Sequence, residues 1–256
     1  MSFSRFLTRN TNIFSIPNRR KMQEIARHKI FTPKYNISLE EERELAYKRL
    51  KHICDRDIVS ITDFKDRPEN IFMAHEIAGM IDGSLCTKLT VQFNLFGGTV
   101  YKMGTERHSY LHKSIDRLES VGCFGLTEPN HGSNPGGMET SFKDEGDYFL
   151  LNGSKLWISN SPFADIAIVW AKNENNRIQG LIVETDMEGV STPETHNKWS
   201  LRGSVTGELI FDNVKVPKDN LLTGKDGLGA PLGCLDSARY GIAWGAIGAA
   251  MDCYDT

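Results

Sequence analysis

The sequence predicts an α+β fold in three stretches: a helical region, a β-rich barrel or sandwich domain, and the start of a further helix. Between residues 38 and 118 the apolar segments show no strand alternation and open on a helix-capping signature. After Val121 the texture changes to short runs of β-branched and aromatic residues with turn signals between them. From Pro231 onward, apolar residues at helical spacing follow a proline suited to a first helical turn.

The first 23 residues carry Arg5, Arg9, Arg19, Arg20 and Lys21 and no acid before Glu24. That is the composition of a mitochondrial transit segment, and residues 1–23 are expected to lie outside the fold. Residues 24–118 form the predicted helical domain. Within it Ser38-Leu39-Glu40-Glu41 is a capping box, and Glu44 precedes Lys48 by one helical turn in the stabilising order. Ile71 to Met80 and Leu85 to Val100 continue as helices, with Gly97-Gly98 interrupting the second. His108 and His112 sit four apart on a predicted helix, but with no third ligand nearby they are expected to be solvated rather than metal-bound.

Residues 119–222 form the predicted β-domain. Asp144 to Asp147 should turn one strand into the next, and Asn152-Gly153 is a two-residue hairpin signal before Lys155 to Ser159. Ala164 to Ala171, Gln179 to Glu184 and Glu208 to Val216 continue the sheet. Residues 231–256 are expected to be the first helix of a truncated helical domain. Its Gly241, Gly245 and Gly248 bare one side of backbone for which the sequence offers no further element, which suggests a piece of something longer.

With 30 basic against 33 acidic residues and a net charge of −3, nothing recruits nucleic acid or a membrane surface. The five cysteines are odd in number, widely spaced and without a C-x-x-C pair, so neither a disulfide framework nor a zinc site is indicated. Tyr240 to Met251, the apolar run near the end, is shorter than the ~20 residues a membrane helix needs. No dinucleotide fingerprint is present.

Chemistry concentrates in GCFGLTEPNHGSNPGGMET, residues 122–140, where a strand breaks into glycines, prolines and short polar residues. Such a strand end lets main-chain N–H groups approach a flat or anionic ligand without Cβ obstruction. On composition alone, a Gly/Pro-rich turn without a ligand accounts for it better.

The arrangement decides. GCFGLTEPNHGSNPGGMET, LNGSKLWISNSPFADIAIVWA, NKWSLRGSVTGELIFDNVKVP and LGCLDSARYGIAWG occur in that order over residues 122–245. Together they resemble the acyl-CoA dehydrogenase flavoproteins, and within them the glutaryl-CoA dehydrogenase branch most. The resemblance implies FAD, an acyl-CoA substrate, electron-transferring flavoprotein as acceptor, a homo-oligomeric full-length form, and α,β-dehydrogenation of a thioester. It implies that Phe124, Gly125, Leu126, Thr127, Glu128, Pro129, Asn130, His131, Gly132 and Ser133 line the flavin, with Trp157, Ile158 and Ser159 from the next block. Ser133 and the helix start Leu232, Gly233, Cys234, Leu235, Asp236, Ser237, Ala238 and Arg239 correspond to positions that contact the acyl-CoA.

Two departures qualify it. The catalytic Glu of one branch would precede Arg239, where this sequence has Ala238, and the late-helix position used by most members is not reached; no catalytic residue is assigned and the chain is expected to be inactive. Where the glutaryl branch carries a carboxylate-binding arginine, a gapless placement puts Cys86, with Lys88 nearby. Residues 82–106 and His131 also resemble the acyl-CoA oxidases. The alternatives are therefore an oxidase relative, peroxisomal rather than of the mitochondrial matrix, or a non-catalytic binder of acyl-CoA or flavin.

Overall fold

The structure, a computed structural model, describes residues 17–255 apart from Lys225. Residues 1–16, most of the predicted transit segment, lie outside the described residues. Its inner boundary is corrected: helix α1 (Pro17–Ala26) belongs to the fold, because Met22, Ile25 and Ala26 are buried in the helical core.

Helix α2 (Leu39–Cys54) begins as the sequence dictates. The Ser38 hydroxyl accepts from the Glu41 amide, the Glu41 carboxylate accepts from the Ser38 amide, and Lys48 pairs with Glu44 at 2.6 Å. Short α3 (Asp63–Asp66), α4 (Pro68–Ile81) and α5 (Gly83–Leu89) follow, then a π-helical stretch, Thr90–Gly97, that runs into α6 (Gly98–Met103) and, after a turn, α7 (Tyr110–Asp116). His108 lies in the 3-10 turn before α7, buried, with Nδ1 accepting from the Thr105 amide; it is not the solvated helix residue expected.

The wider turns of the π-helix put its polar side chains where an α-helix would not. Gln92 is fully buried and spans to the sheet, donating to the Ile115 and Ser120 carbonyls and accepting from the Gly122 amide at 3.1 Å. Its neighbour Phe96 approaches so closely that a Cβ on Gly122 would meet the ring at 1.9 Å. The first strand is thus fixed against the helices at its starting residue.

Seven strands form one sheet: β1 (Gly122–Gly125), β2 (Ser141–Asp144), β3 (Tyr148–Ser159), β4 (Ile166–Lys172), β5 (Ile178–Glu184), β6 (Val190–Ser191) and β7 (Thr206–Pro217). β1 runs parallel to β4, which pairs antiparallel with β5, while the long β3 pairs antiparallel with β2 and β7. Side chains of β4 alternate between two cores. Ile166, Ile168 and Trp170 meet the helices, and Ala167, Val169 and Ala171 meet Phe142, Leu151, Leu209 and Val214. Burial of both faces explains why β4 reads as a continuous apolar run.

The Asp144–Asp147 turn forms, with Gly146 at φ 88°, but Asn152-Gly153 makes no hairpin. β3 continues through it, and Gly153 spends its positive φ of 138° on a register shift against β7. Asn152 instead clasps Asn213 across the pair, accepting from its amide at 2.8 Å. A glycine at positive φ serves a bulge as readily as a turn, and the cross-strand partner decides which.

Helix α8 (Gly229–Asp255) corrects the largest expectation. Its glycines do have a partner, α4. A Cβ on Gly79 would lie 2.1 Å from the Gly245 carbonyl oxygen, one on Gly248 would lie 1.9 Å from the Glu76 carbonyl oxygen, and one on Gly241 would strike His75. The two backbones touch. Away from this seam α8 is exposed, with Ile242 and Ile247 facing outward. Among the described residues no helix is long and apolar enough to cross a membrane.

Candidate functional site

The ends of β1 and β3 meet. The Leu156 amide donates to the Thr127 carbonyl at 2.9 Å, which brings the segment after β1 alongside the last residues of β3. Between Lys155 and Ile158 the register against β7 slips, so both of these residues point inward and the extra residue bulges out. That extra residue is Trp157. It stands at φ 61°, an unusual conformation for a bulky side chain, and leaves its indole 58% exposed at the sheet edge.

Under this edge lies a buried ion pair. Lys155 Nζ donates to Glu128 Oε1 at 2.8 Å, and the Glu128 carboxylate also accepts from the amides of Glu139 (2.6 Å) and Thr140 (3.1 Å). Burial alone would push the Glu128 carboxyl up, but those three donors outweigh it and hold it below the ordinary carboxylate range. Burial pulls the Lys155 ammonium down against the attraction of Glu128. The pair ties the residues after β1 to the start of β2. Lys155 carries no signal in the four blocks taken singly; what could have found it is a lysine in phase with the inward positions of a strand, with one unexplained acid in the neighbouring loop.

The predicted flavin-lining residues divide accordingly. The side chains of Phe124, Leu126, Glu128 and Ile158 turn inward, with the Phe124 ring 6.0 Å from that of Trp170, so from these positions only the main chain faces outward. Thr127 and Ser159 are half-buried with hydroxyls that have no hydrogen-bond partner among the described residues. Pro129, Asn130, Gly132 and Ser133 are exposed, and His131 leans on Glu139 at 3.1 Å. Around Gly132 a Cβ would meet nothing within 4 Å, whereas one on Gly137 would strike His131 and one on Gly125 would press on Leu209. Only part of the bare backbone therefore faces open space; the rest is consumed by the loop's own packing.

Of the predicted acyl-CoA contacts, Leu232 and Leu235 are half-buried, Cys234 and Ala238 face the seam with the helices, and Gly233, Asp236 and Arg239 face outward. Arg239 pairs with Asp236. Ser237 is held by the π-helix and α6: its carbonyl accepts from Asn94 at 3.1 Å and its hydroxyl from Lys102 at 2.7 Å. The loop carrying Ser133 reaches the approach to α8 near Leu228. Cys86 is buried against Gly245, and burial pushes its thiol up to about 11.

Residues 123–214, spanning β1 to β7, match the model of the acyl-CoA dehydrogenase middle domain. Over these residues the chain carries an acyl-CoA dehydrogenase middle domain. It is similar to the caffeyl-CoA reductase–Etf complex subunit CarC of Acetobacterium woodii, 36% identical over 182 residues, which are 68% of this chain and 48% of that protein. The short-chain specific mitochondrial acyl-CoA dehydrogenase of Homo sapiens is 33% identical over 174 residues, 65% of this chain and 42% of that one. Among solved structures, the glutaryl-CoA dehydrogenase of Mycobacterium smegmatis in complex with FADH2 superposes with a TM-score of 0.84 at 33% identity, over 95% of this chain and 65% of that one. The chain thus spans about half the length of the curated relatives it matches.

Proposed function

We propose that the chain supplies the flavin and acyl-CoA contacts of an FAD-dependent acyl-CoA dehydrogenase. One observation carries this reading: the bulge that strains Trp157 outward at the same strand end where Thr127 and Ser159 offer free hydroxyls and Gly132 leaves the backbone bare. Strained conformations of bulky residues cluster at ligand sites, where the surrounding structure holds them in place. The donor set fits a flavin, a flat ring with acceptor atoms along one edge. Bound FAD would supply the two-electron acceptor for removing hydrogens from the α and β carbons of a thioester.

The protein's own part is to bind and orient. Thr127, Ser159 and the main-chain amides of Asn130, Gly132 and Ser133 would hydrogen-bond the ring, and Trp157 would cover one side of it and exclude water. Ser133 and Arg239 would hold the acyl-CoA. Ala238 offers no carboxylate for the α-proton, and Cys86, buried and apolar in character, does not neutralise a distal carboxylate. These residues accordingly bind without removing the α-proton, and the glutaryl group is disfavoured as the acyl chain. The name of the Acetobacterium woodii relative supports an electron-transferring flavoprotein as partner, and Arg5 and Arg9 in the acid-free residues 1–16 support the mitochondrial matrix.

The test is a visible spectrum of the purified chain after loading with FAD and removing the excess, with and without anaerobic acyl-CoA. A retained flavin band that acyl-CoA perturbs without bleaching is expected. No retained band from a folded chain would overturn the binding role, and bleaching would overturn the absence of a base.

A further inference from the structure

Away from the flavin-facing edge, the excursion from Glu194 to Thr206 folds over the start of α2 and encloses a cleft of about 380 Å³. Its walls include Arg43, Thr195, Lys198, Trp199 and Arg202. Three of these are cations, and a fourth, Lys88, lies close enough behind them to feel the charges of Arg43 and Lys198.

The acids present do not balance them. Glu194 takes one edge of the Arg43 guanidinium at 2.5 Å, and Glu42 reaches Arg202 at 3.5 Å. Lys198 spends its ammonium on the Leu201 and Ser204 carbonyls and the Thr206 hydroxyl, which are neutral. Lys88 is 2% exposed and pairs with no carboxylate among the described residues; its ammonium lies over the Phe163 ring, 4.7 Å from the centroid. Asp82 attracts it without pairing with it, and an ammonium so buried is expensive unless a further anion arrives.

Unfilled hydrogen-bonding capacity gathers at the same place. Arg43 Nε, Thr195 Oγ1 and Ser204 Oγ are all buried without a partner. Buried polar atoms in native proteins are nearly always satisfied, so three together beside a cationic cleft call for a ligand that accepts hydrogen bonds. The indole of Trp199 stands 98% exposed at the rim, a flat wall with nothing yet against it.

We propose that this cleft binds the oxyanion of a small molecule, a phosphate or carboxylate group seated against Arg43 and Thr195 with Trp199 as its outer wall. Guanidinium and hydroxyl donors match an oxyanion in geometry, and the local excess of positive charge matches it in sign. The volume holds such a group with a few attached atoms. The site does not depend on flavin binding.

The experiment is calorimetric and thermal titration of the whole chain, without added FAD, by inorganic phosphate and by succinate, with sodium chloride at matched ionic strength as control. Saturable binding of at least one anion and a rise in Tm that chloride does not reproduce are expected. Phosphate alone would identify a phosphate-bearing ligand, and succinate alone a carboxylate-bearing one. Thr195→Val, which removes only an unpartnered hydroxyl, should weaken binding about tenfold, as loss of one charge-assisted hydrogen bond does. Lys88→Met should weaken it at least as much while raising the Tm of the free chain, a combination that loss of fold does not produce. No saturable binding, or binding that both variants leave unchanged, would overturn the proposal.

Discussion

At the scale of single residues, Trp157 separates what the fold wants from what the site wants. An L-residue at φ 61° costs on the order of 1 kcal/mol relative to glycine, so Trp157→Gly should leave the urea midpoint unchanged or raise it. The same change should cut flavin retention severalfold, read from the absorbance left after gel filtration; a variant that retains flavin as well as the parent would remove Trp157 from the site. Thr127, Trp157 and Ser159 were legible as candidates because their blocks carry a specific pattern, and the structure brings them to one sheet edge. Glu128 was legible as a member of the block but not in its role, since the sequence does not say which way a carboxylate turns. Lys155 went unread for the same reason: its meaning depends on an inward parity that two bulges in β3 had to set.

At the scale of elements, the seam between α4 and α8 is the feature with the least tolerance. Gly79→Ala would drive a methyl into the backbone of Gly245, and because backbone cannot swing aside, the helices must part. Overpacking of this kind costs about 1–3 kcal/mol or more. The expected result is a lowered Tm with faster proteolysis within α8 and little change in the β-domain; an unchanged proteolysis pattern would refute the close contact. The start of helix α2 was legible to the residue, since a capping box is a local signal that tertiary structure had no reason to override. The partner of α8 was not legible. Its glycines announced a close approach, but Gly79 sits in an apolar run that gives no sign of what faces it. The π-helix was equally hidden, because its composition is that of any buried helix and its register is chosen by Gln92 reaching β1.

At the scale of the whole molecule, acid stability should depend on that seam. His75 is fully buried between α4, Thr90 and α8, and burial pulls its ring down to about 4 while Nδ1 donates to the Ile71 carbonyl. Between its ordinary value near 6.5 and about 4, the unfolded chain binds a proton there that the folded chain does not. Stability is therefore complete above the upper value and is lost as pH falls toward the lower one, by an amount on the order of 3 kcal/mol. Glu128, held low in the fold, adds to the loss at the acid end. Urea midpoints measured from pH 7 to 4 should fall steadily, and a flat profile would exclude a buried neutral His75. The division into helices, sheet and helix was readable along the chain, but not that the last helix closes onto the first ones. That closure sets an order of events during synthesis. Helix α4 leaves the ribosome about 165 residues before Gly245 does, a delay of roughly 8–33 s at ordinary elongation rates, with its glycine face uncovered and the β-domain still being made. During that interval the nascent chain exposes an apolar face of α4 that α8 covers only later, so the helical half is expected to need a holding chaperone until α8 arrives.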